Sequence, residues 1–137
     1  MGLYLCVFRD DEEVAAVEVG GYDDFAFFRE GVTATVEQGR RGSVCPVLIN
    51  HSDCDGSWSP AEAGALMLEL TIIERTMREY PPVGYNSSWK EEVARERGIA
   101  PRNLLECFFD VDGEPLVAQL EMLASASIDN DVPILFQ

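Results

Sequence analysis

The chain has 137 residues, 47% of them hydrophobic, which is enough to bury one sizeable core, and we expect a single domain over residues 1–137. Its formal net charge is −15, from 25 acidic and 10 basic side chains, and such a surface repels nucleic acid and anionic lipid. We therefore expect neither a nucleic-acid partner nor a membrane partner. No apolar run is long enough to span a bilayer, no secretory cleavage pattern follows the first residues, and no C-x-x-C pair occurs. These features predict a cytoplasmic protein.

The beginning of the chain predicts a β-hairpin followed by a helix. Residues 3–8 and 14–19 are β-rich runs on either side of a polar turn. The first run is apolar at nearly every position, which is typical of an interior strand buried on both faces. Beyond it, Asp23 or Asp24 can cap a helix with apolar residues at helical spacing, and Gly39 is expected to end that helix.

The middle of the chain predicts a strand and then a long helix. Residues 44–50 resemble a strand, although Pro46 lacks a ladder donor and therefore places the strand's start or an edge there. The next helix begins clearly: Ser59 can cap it, Pro60 suits its first turn, and Glu62 can reach back in a capping box. Two consecutive prolines end it.

The last third of the chain predicts two more helices and two more strands. Ser88 and Glu91 cap a short charged helix, residues 104–109 form a strand, residues 115–125 a helix, and residues 132–136 the final strand. This order predicts an α+β sandwich of a single domain. Its sheet is mixed, with about five strands and an N-terminal hairpin, and about four helices lie mainly on one face.

Two Asp-x-Asp-Gly motifs are the most informative feature of the sequence. Each follows an apolar run and precedes a helix with proline at its start; they are Asp53-Cys54-Asp55-Gly56 and Asp110-Val111-Asp112-Gly113. If the two runs are neighbouring parallel strands, their carboxyl ends bring four carboxylates and His51 to one edge of the sheet. Open α/β sheets usually place their sites at that edge.

Four converging carboxylates would suit a hard cation, so a cation-dependent hydrolase is one hypothesis for this edge. The glycine of the first motif, however, falls at the fourth position and Trp58 at the sixth, which excludes an EF-hand. His51 is the only histidine, and no catalytic or nucleotide-binding motif is present. Aspartate in an Asp-Gly turn usually bonds its own backbone, so we expect no metal, no cofactor and no catalytic residue.

Two other residues near the first motif have alternative roles. His51 beside Asp53 could be a general base oriented by a carboxylate, but a lone histidine after a strand more often ties down a loop, which we favour. Trp58 could anchor an interface if exposed or plug a loop if buried, and the buried role is favoured.

Three segments of the chain resemble the immunity protein 70 family of bacterial polymorphic toxin systems. These are residues 51–60 (HSDCDGSWSP), residues 107–116 (CFFDVDGEPL) and residues 133–137 (PILFQ). The resemblance implies a small α+β cytoplasmic protein, encoded beside a toxin, that protects the producing cell by binding and neutralising that toxin. It brings no catalytic motif with it.

The acidic excess suits an inhibitor of a basic enzyme such as a nuclease, because carboxylates can occupy a phosphate-binding site and speed encounter. We therefore expect a cognate toxin domain to contact the edge that carries the two motifs. The residues expected there are His51, Asp53, Asp55, Trp58, Asp110, Asp112 and Glu114. The rival surface is the acidic first segment, residues 10–13 with Asp23 and Asp24.

Overall fold

A computed structural model describes residues 2–137 and shows an α+β fold, as predicted. The strands are β1 (Leu3–Arg9), β2 (Glu12–Gly20), β3 (Ser57–Trp58) and β4 (Ile134–Phe136). The α-helices are α1 (Tyr22–Thr35), α2 (Pro46–Ile49), α3 (Pro60–Met77), α4 (Ser88–Arg97) and α5 (Leu116–Asn130). The strands form one sheet in the order β2-β1-β4-β3 with every neighbouring pair antiparallel, so the expectation of a mixed sheet of about five strands is corrected to an antiparallel sheet of four.

The N-terminal hairpin is confirmed. Asp10 and Asp11 at its turn have φ values of 51° and 68°, the left-handed conformation that matches the twist of two antiparallel strands. β1 lies between β2 and β4, so it is an interior strand, as its apolar sequence predicts.

Helix α1 begins earlier and ends earlier than the sequence suggests. Its cap is Gly21, and Asp24 instead acts from the third helical position, where its carboxylate accepts the Gly21 N–H at 2.7 Å. The helix ends at Thr35 and does not reach Gly39. It ends there because the chain turns around Glu37, whose buried carboxylate binds the backbone N–H groups that follow.

The predicted strand over residues 44–50 is wrong, because this segment forms the single helical turn α2. Pro46 occupies the first helical position, where its missing N–H costs nothing. The side chain of Glu69, distant in sequence, accepts the N–H groups of Val47 and Leu48, both at 3.0 Å. These tertiary hydrogen bonds satisfy donors that a short helix leaves free, and local β propensity is overridden.

The predicted strand over residues 104–109 is also wrong. The chain instead makes a 3-10 turn over Leu105–Cys107, and Phe109 forms only an isolated bridge with Pro115. The side-chain oxygen of Asn103 accepts a backbone N–H three residues ahead, at 3.1 Å, and so stabilises the turn.

The capping box of α3 is confirmed. The hydroxyl of Ser59 accepts the Glu62 N–H at 3.1 Å, and the Glu62 carboxylate accepts the Ser59 N–H at 3.0 Å. Helix α5 forms as expected but continues to Asn130, beyond the predicted end at residue 125.

Helix α4 also forms, and it ends at Gly98, which adopts the left-handed conformation. Its cap position is held by Ser87, so the expected cap by Ser88 and Glu91 is wrong. The Ser87 hydroxyl does not bind the first turn of α4. It donates to the buried carboxylate of Asp24 at 2.7 Å and so joins α4 to the start of α1.

The sheet is covered by helices on one face. Side chains of β1 alternate, and Leu3, Leu5 and Val7 point into the core, where α1 and α5 pack on the sheet and α3 packs against both helices. The intervening residues Tyr4 and Phe8 point to the opposite face and are half-buried. None of the helices in residues 2–137 is both long and apolar enough to cross a bilayer.

Candidate functional site

The two Asp-x-Asp-Gly loops lie at opposite edges of the sheet. The first loop leads directly into β3, which is the outermost strand on one side. The second loop is fastened to β2, the outermost strand on the other side, because the Val111 N–H donates to the Glu18 carbonyl oxygen at 3.2 Å. Neighbouring strands are about 4.8 Å apart, so three spacings place β2 and β3 roughly 14 Å apart.

The expectation that four carboxylates and His51 meet at one edge is therefore wrong. Its physical basis was a pair of parallel strands over residues 44–50 and 104–109, and neither segment is a strand. Within residues 2–137, no group of three or more histidine, cysteine, aspartate or glutamate side chains is placed to hold a metal ion. The geometric premise of the cation-dependent hydrolase is not met.

Asp110 fixes the second loop from inside. Its side chain belongs to a residue only 2% exposed, and its carboxylate accepts the N–H groups of Asp112 at 2.9 Å and Glu114 at 3.0 Å. The other oxygen accepts a hydrogen bond from the Gln119 side chain at 3.2 Å. This pattern is an Asx turn that connects the loop to α5, so Asp110 is not available to touch a partner directly.

His51 ties down the first loop. Its ring nitrogens lie 2.7 Å from the Ser52 carbonyl oxygen and 2.9 Å from that of Ser57, and its ring stacks on Phe136 with centroids 4.1 Å apart. Both ring nitrogens face main-chain oxygens and not the Asp53 carboxylate, and the nitrogen that carries the hydrogen donates to its carbonyl oxygen. The loop-fixing role favoured by the sequence is thus the one that the structure supports.

Trp58 is the plug beneath this loop. It is fully buried, its indole N–H donates to the Val47 carbonyl oxygen at 3.1 Å, and its ring meets Phe136 edge-on with centroids 4.7 Å apart. The buried role is confirmed, and the indole does not reach the surface.

The exposed carboxylates of the two loops differ in their neighbours. Asp53 and Asp55 are exposed and form none of the ion pairs found among residues 2–137. In the second loop, Glu114 lies 3.6 Å from the Arg97 guanidinium, which also donates to the Asp112 carbonyl oxygen at 2.8 Å. The second loop is thus partly neutralised by α4, whereas the first presents its charge to solvent.

Two buried carboxylates that sequence reasoning missed shape the segment before the first loop. Burial opposes ionisation of Glu37, but hydrogen bonds from the N–H groups of Cys45, Gly42 and Val44 outweigh it and lower the pKa of Glu37. For Glu69 burial prevails and raises the pKa, despite the two N–H donors of α2. The sequence did carry one signal for Glu69. It lies among the buried residues of α3, and a buried charge needs a hydrogen-bonding or charged partner.

Arg29 of α1 completes this support. It is buried, and its guanidinium donates to the carbonyl oxygens of Ile49 and, at 2.6 Å, His51, while its carbon lies 5.1 Å from the centroid of the Phe25 ring. The last carbonyl group of α2 and a carbonyl group of the chain just after it are thereby satisfied by a side chain from a distant helix. The first loop therefore begins from a fixed position.

Asp24 belongs to the interior and not to the acidic surface suggested for the first segment. Its residue is 4% exposed, and its carboxylate accepts hydrogen bonds from Ser87 and, at 3.0 Å, from the Trp89 indole. The ammonium group of Lys90, itself buried, lies 3.5 Å away. The rival surface is accordingly reduced to residues 10–13 and Asp23.

The sequence model of the immunity protein 70 family matches residues 3–136. The chain belongs to the immunity protein 70 family. The match extends from the first residue of β1 to the last of β4 and so covers the whole fold, which confirms the resemblance noted in the sequence. Comparison with curated proteins and comparison with solved structures each gave no match. Family membership makes this chain an immunity protein.

Proposed function

We propose that this protein, acting as one domain in the cytoplasm, binds a cognate protein toxin and neutralises it, and that the toxin is a basic enzyme such as a nuclease. The observation that carries this proposal is the family match over residues 3–136. The two loops also fit a binding role, because Asp110 and His51 use their polar atoms to fix loop structure.

The charge of the chain favours a basic partner over nucleic acid or a membrane. With 25 acidic and 10 basic side chains, the surface attracts a basic protein and raises the rate of encounter. Asp24, Glu37, Glu69 and Asp110 are buried, but most of the other carboxylates are exposed, and only four ion pairs form among residues 2–137. Most of the exposed carboxylates therefore remain free to interact with a partner.

The two loops supply charged contacts at the rim of this interface. Asp53 and Asp55 act at one edge of the sheet, and Asp112 and Glu114 at the other, while the buried residues of the loops hold them in place. An ordinary interface buries about 800 Å² on each partner and is roughly 28 Å across. The two edge strands are roughly 14 Å apart, so a single interface of this width can include both edges.

The test uses the toxin encoded by the neighbouring gene. Expression of this chain should protect a bacterial host that produces the toxin, and the purified proteins should associate at a rate that falls as salt is added. Replacing Asp55 and Asp112 together by Asn should slow association and flatten its salt dependence, with little change in dissociation. The matched control replaces two exposed aspartates at the C-terminal end of α5, Asp129 and Asp131, by Asn.

Two results would count against the proposal. If the wild-type chain neither binds the toxin nor protects the host, the proposed function is wrong. If it does both while the loop variant keeps wild-type association rates and salt dependence, the function stands and the assignment of the loops to the rim is wrong.

A further inference from the structure

The uncovered face of the sheet is apolar where an open antiparallel face is ordinarily polar. Antiparallel sheets with one face in water alternate apolar residues inward with polar residues outward. Here the outward residues of the central strand β1 are Tyr4, Cys6 and Phe8, and Cys6 lies opposite Ala16 on β2 and Leu135 on β4. The sequence of β1 has the pattern of a strand buried on both faces, but the helices cover only one.

Acidic side chains surround this apolar stripe. A register shift between Val7 and Phe8 brings Glu13 opposite Phe8, on the outward face, while Glu18 lies opposite Tyr4. The Tyr4 hydroxyl lies 2.9 and 2.8 Å from the two carboxylate oxygens of Glu13 and shares its one hydrogen between them. Its ring therefore runs along the face past Cys6, which is fully buried. Val14 remains 43% exposed between the two glutamates.

Almost no positive charge offsets these carboxylates. The described outward positions of the four strands carry no lysine, arginine or histidine. The hairpin end of the sheet adds Asp10, Asp11 and Glu12, against the single basic residue Arg9, which lies opposite Glu12. None of these acidic residues belongs to an ion pair within residues 2–137.

We propose that this open face, named here the outer sheet face and made of the outward residues of β1, β2 and β4, is the docking surface for the basic surface of the toxin. The inference rests on the proposed function and specifies where the partner sits. An apolar centre with a charged rim is the arrangement found in stable protein interfaces. The acidic rim selects a partner with lysine and arginine around an apolar patch.

The outer sheet face is large enough to form the centre of an interface but too small to form all of it. A strand of seven residues is about 23 Å long, and three strands together with their margins are roughly 14 Å wide, giving a flat area of about 300 Å². This is below the roughly 800 Å² per partner of an ordinary interface. The hairpin turn and the two Asp-x-Asp-Gly loops at the edges of the sheet therefore complete the contact.

The decisive variant changes the outer sheet face at two exposed positions, Val14→Arg together with Glu18→Arg. The control, Leu68→Arg with Glu79→Arg, makes the same chemical and charge changes on and just after α3, where Leu68 is 70% exposed. Because both proteins gain equal positive charge, any loss of long-range attraction affects them alike. The outer-face variant should bind toxin at least about 100-fold more weakly than the control.

A second measurement serves if the outer-face variant does not fold. Carboxyl labelling of the wild-type chain, free and with toxin, should show Glu13 and Glu18 protected in the complex, with Asp129 and Asp131 labelled as before. Equal binding by the two variants, or unchanged labelling of Glu13 and Glu18 in a formed complex, would overturn the inference. A dimer of the free chain that Val14→Arg dissociates would assign the face to a second copy and overturn it too, whereas a wild-type chain that binds no toxin refutes the proposed function itself.

Discussion

Replacing Asp24 by Asn should destabilise the protein strongly, because this carboxylate joins the beginnings of α1 and α4. Burial opposes its ionisation, but hydrogen bonds from Ser87, Gly21 and Trp89 outweigh burial and lower the pKa of Asp24. The carboxylate is therefore charged at neutral pH and is partnered by the buried ammonium group of Lys90 at 3.5 Å. Asparagine keeps the shape of the side chain and removes the charge.

The expected cost follows from what the substitution leaves behind. Removing one member of a buried ion pair costs about 3–5 kcal/mol, because the other charge stays buried without its partner. The NH2 group of the asparagine would also face donors, either that of Ser87 or those of Gly21 and Trp89, which leaves donors without an acceptor and adds to this cost. We expect a loss of about 4 kcal/mol, a large fraction of the roughly 5–15 kcal/mol by which folded domains are stable.

Urea unfolding followed by circular dichroism provides the assay, and with a slope of about 2 kcal/mol/M the midpoint should fall by about 2 M. Lys90→Met is the companion variant, and the double variant Asp24→Asn with Lys90→Met should lose less than the sum of the two single losses, since no charge is then left buried alone. A cost below about 1 kcal/mol for Asp24→Asn, or strict additivity in the double variant, would refute the reasoning.

Two further predictions concern the capping of α3 and the turn around Glu37. Ser59→Ala should cost about 1 kcal/mol in urea unfolding, because the Glu62 N–H loses its acceptor, and an unchanged midpoint would show that the capping box contributes nothing. Since the folded-state pKa of Glu37 is lowered, its stabilising contribution is complete above its unfolded pKa and is lost as the pH falls through the folded value. Unfolding measured between neutral pH and about pH 3 should therefore show the difference between wild type and Glu37→Gln shrinking in acid, and a difference independent of pH would contradict the assignment.

The elements predicted well are those whose signals are local. The hairpin was predicted from two β-rich runs around a polar turn, and α3 from a capping box whose hydrogen bonds connect Ser59 with Glu62. The family assignment was equally local, since it depended on short motifs in order along the chain. In each case, residues close in sequence supply both the pattern and the interaction that stabilises it.

The candidate site shows where local reasoning fails. The two apolar runs before the Asp-x-Asp-Gly loops have β propensity, but Glu69 and Arg29 bind the ends of one run as helix α2, and Asn103 bends the other into a 3-10 turn. Without two parallel strands, the loops separate to opposite edges of the sheet. The roles of His51 and Trp58 were foreseen because the buried or tied-down state is the usual one for such side chains.

The sequence by itself determined the α+β class, the hairpin, the principal helices, the acidic charge and the family, since these depend on composition and on patterns within a few residues. The tertiary structure alone decided which carboxylates are buried, that the two loops do not meet, and that one face of the sheet is left uncovered. The physical reason is that hydrogen bonds from groups 20 or more residues away, such as those of Glu69 and Arg29 to α2, are strong enough to override local propensity and leave no trace in the sequence around the segment they fix.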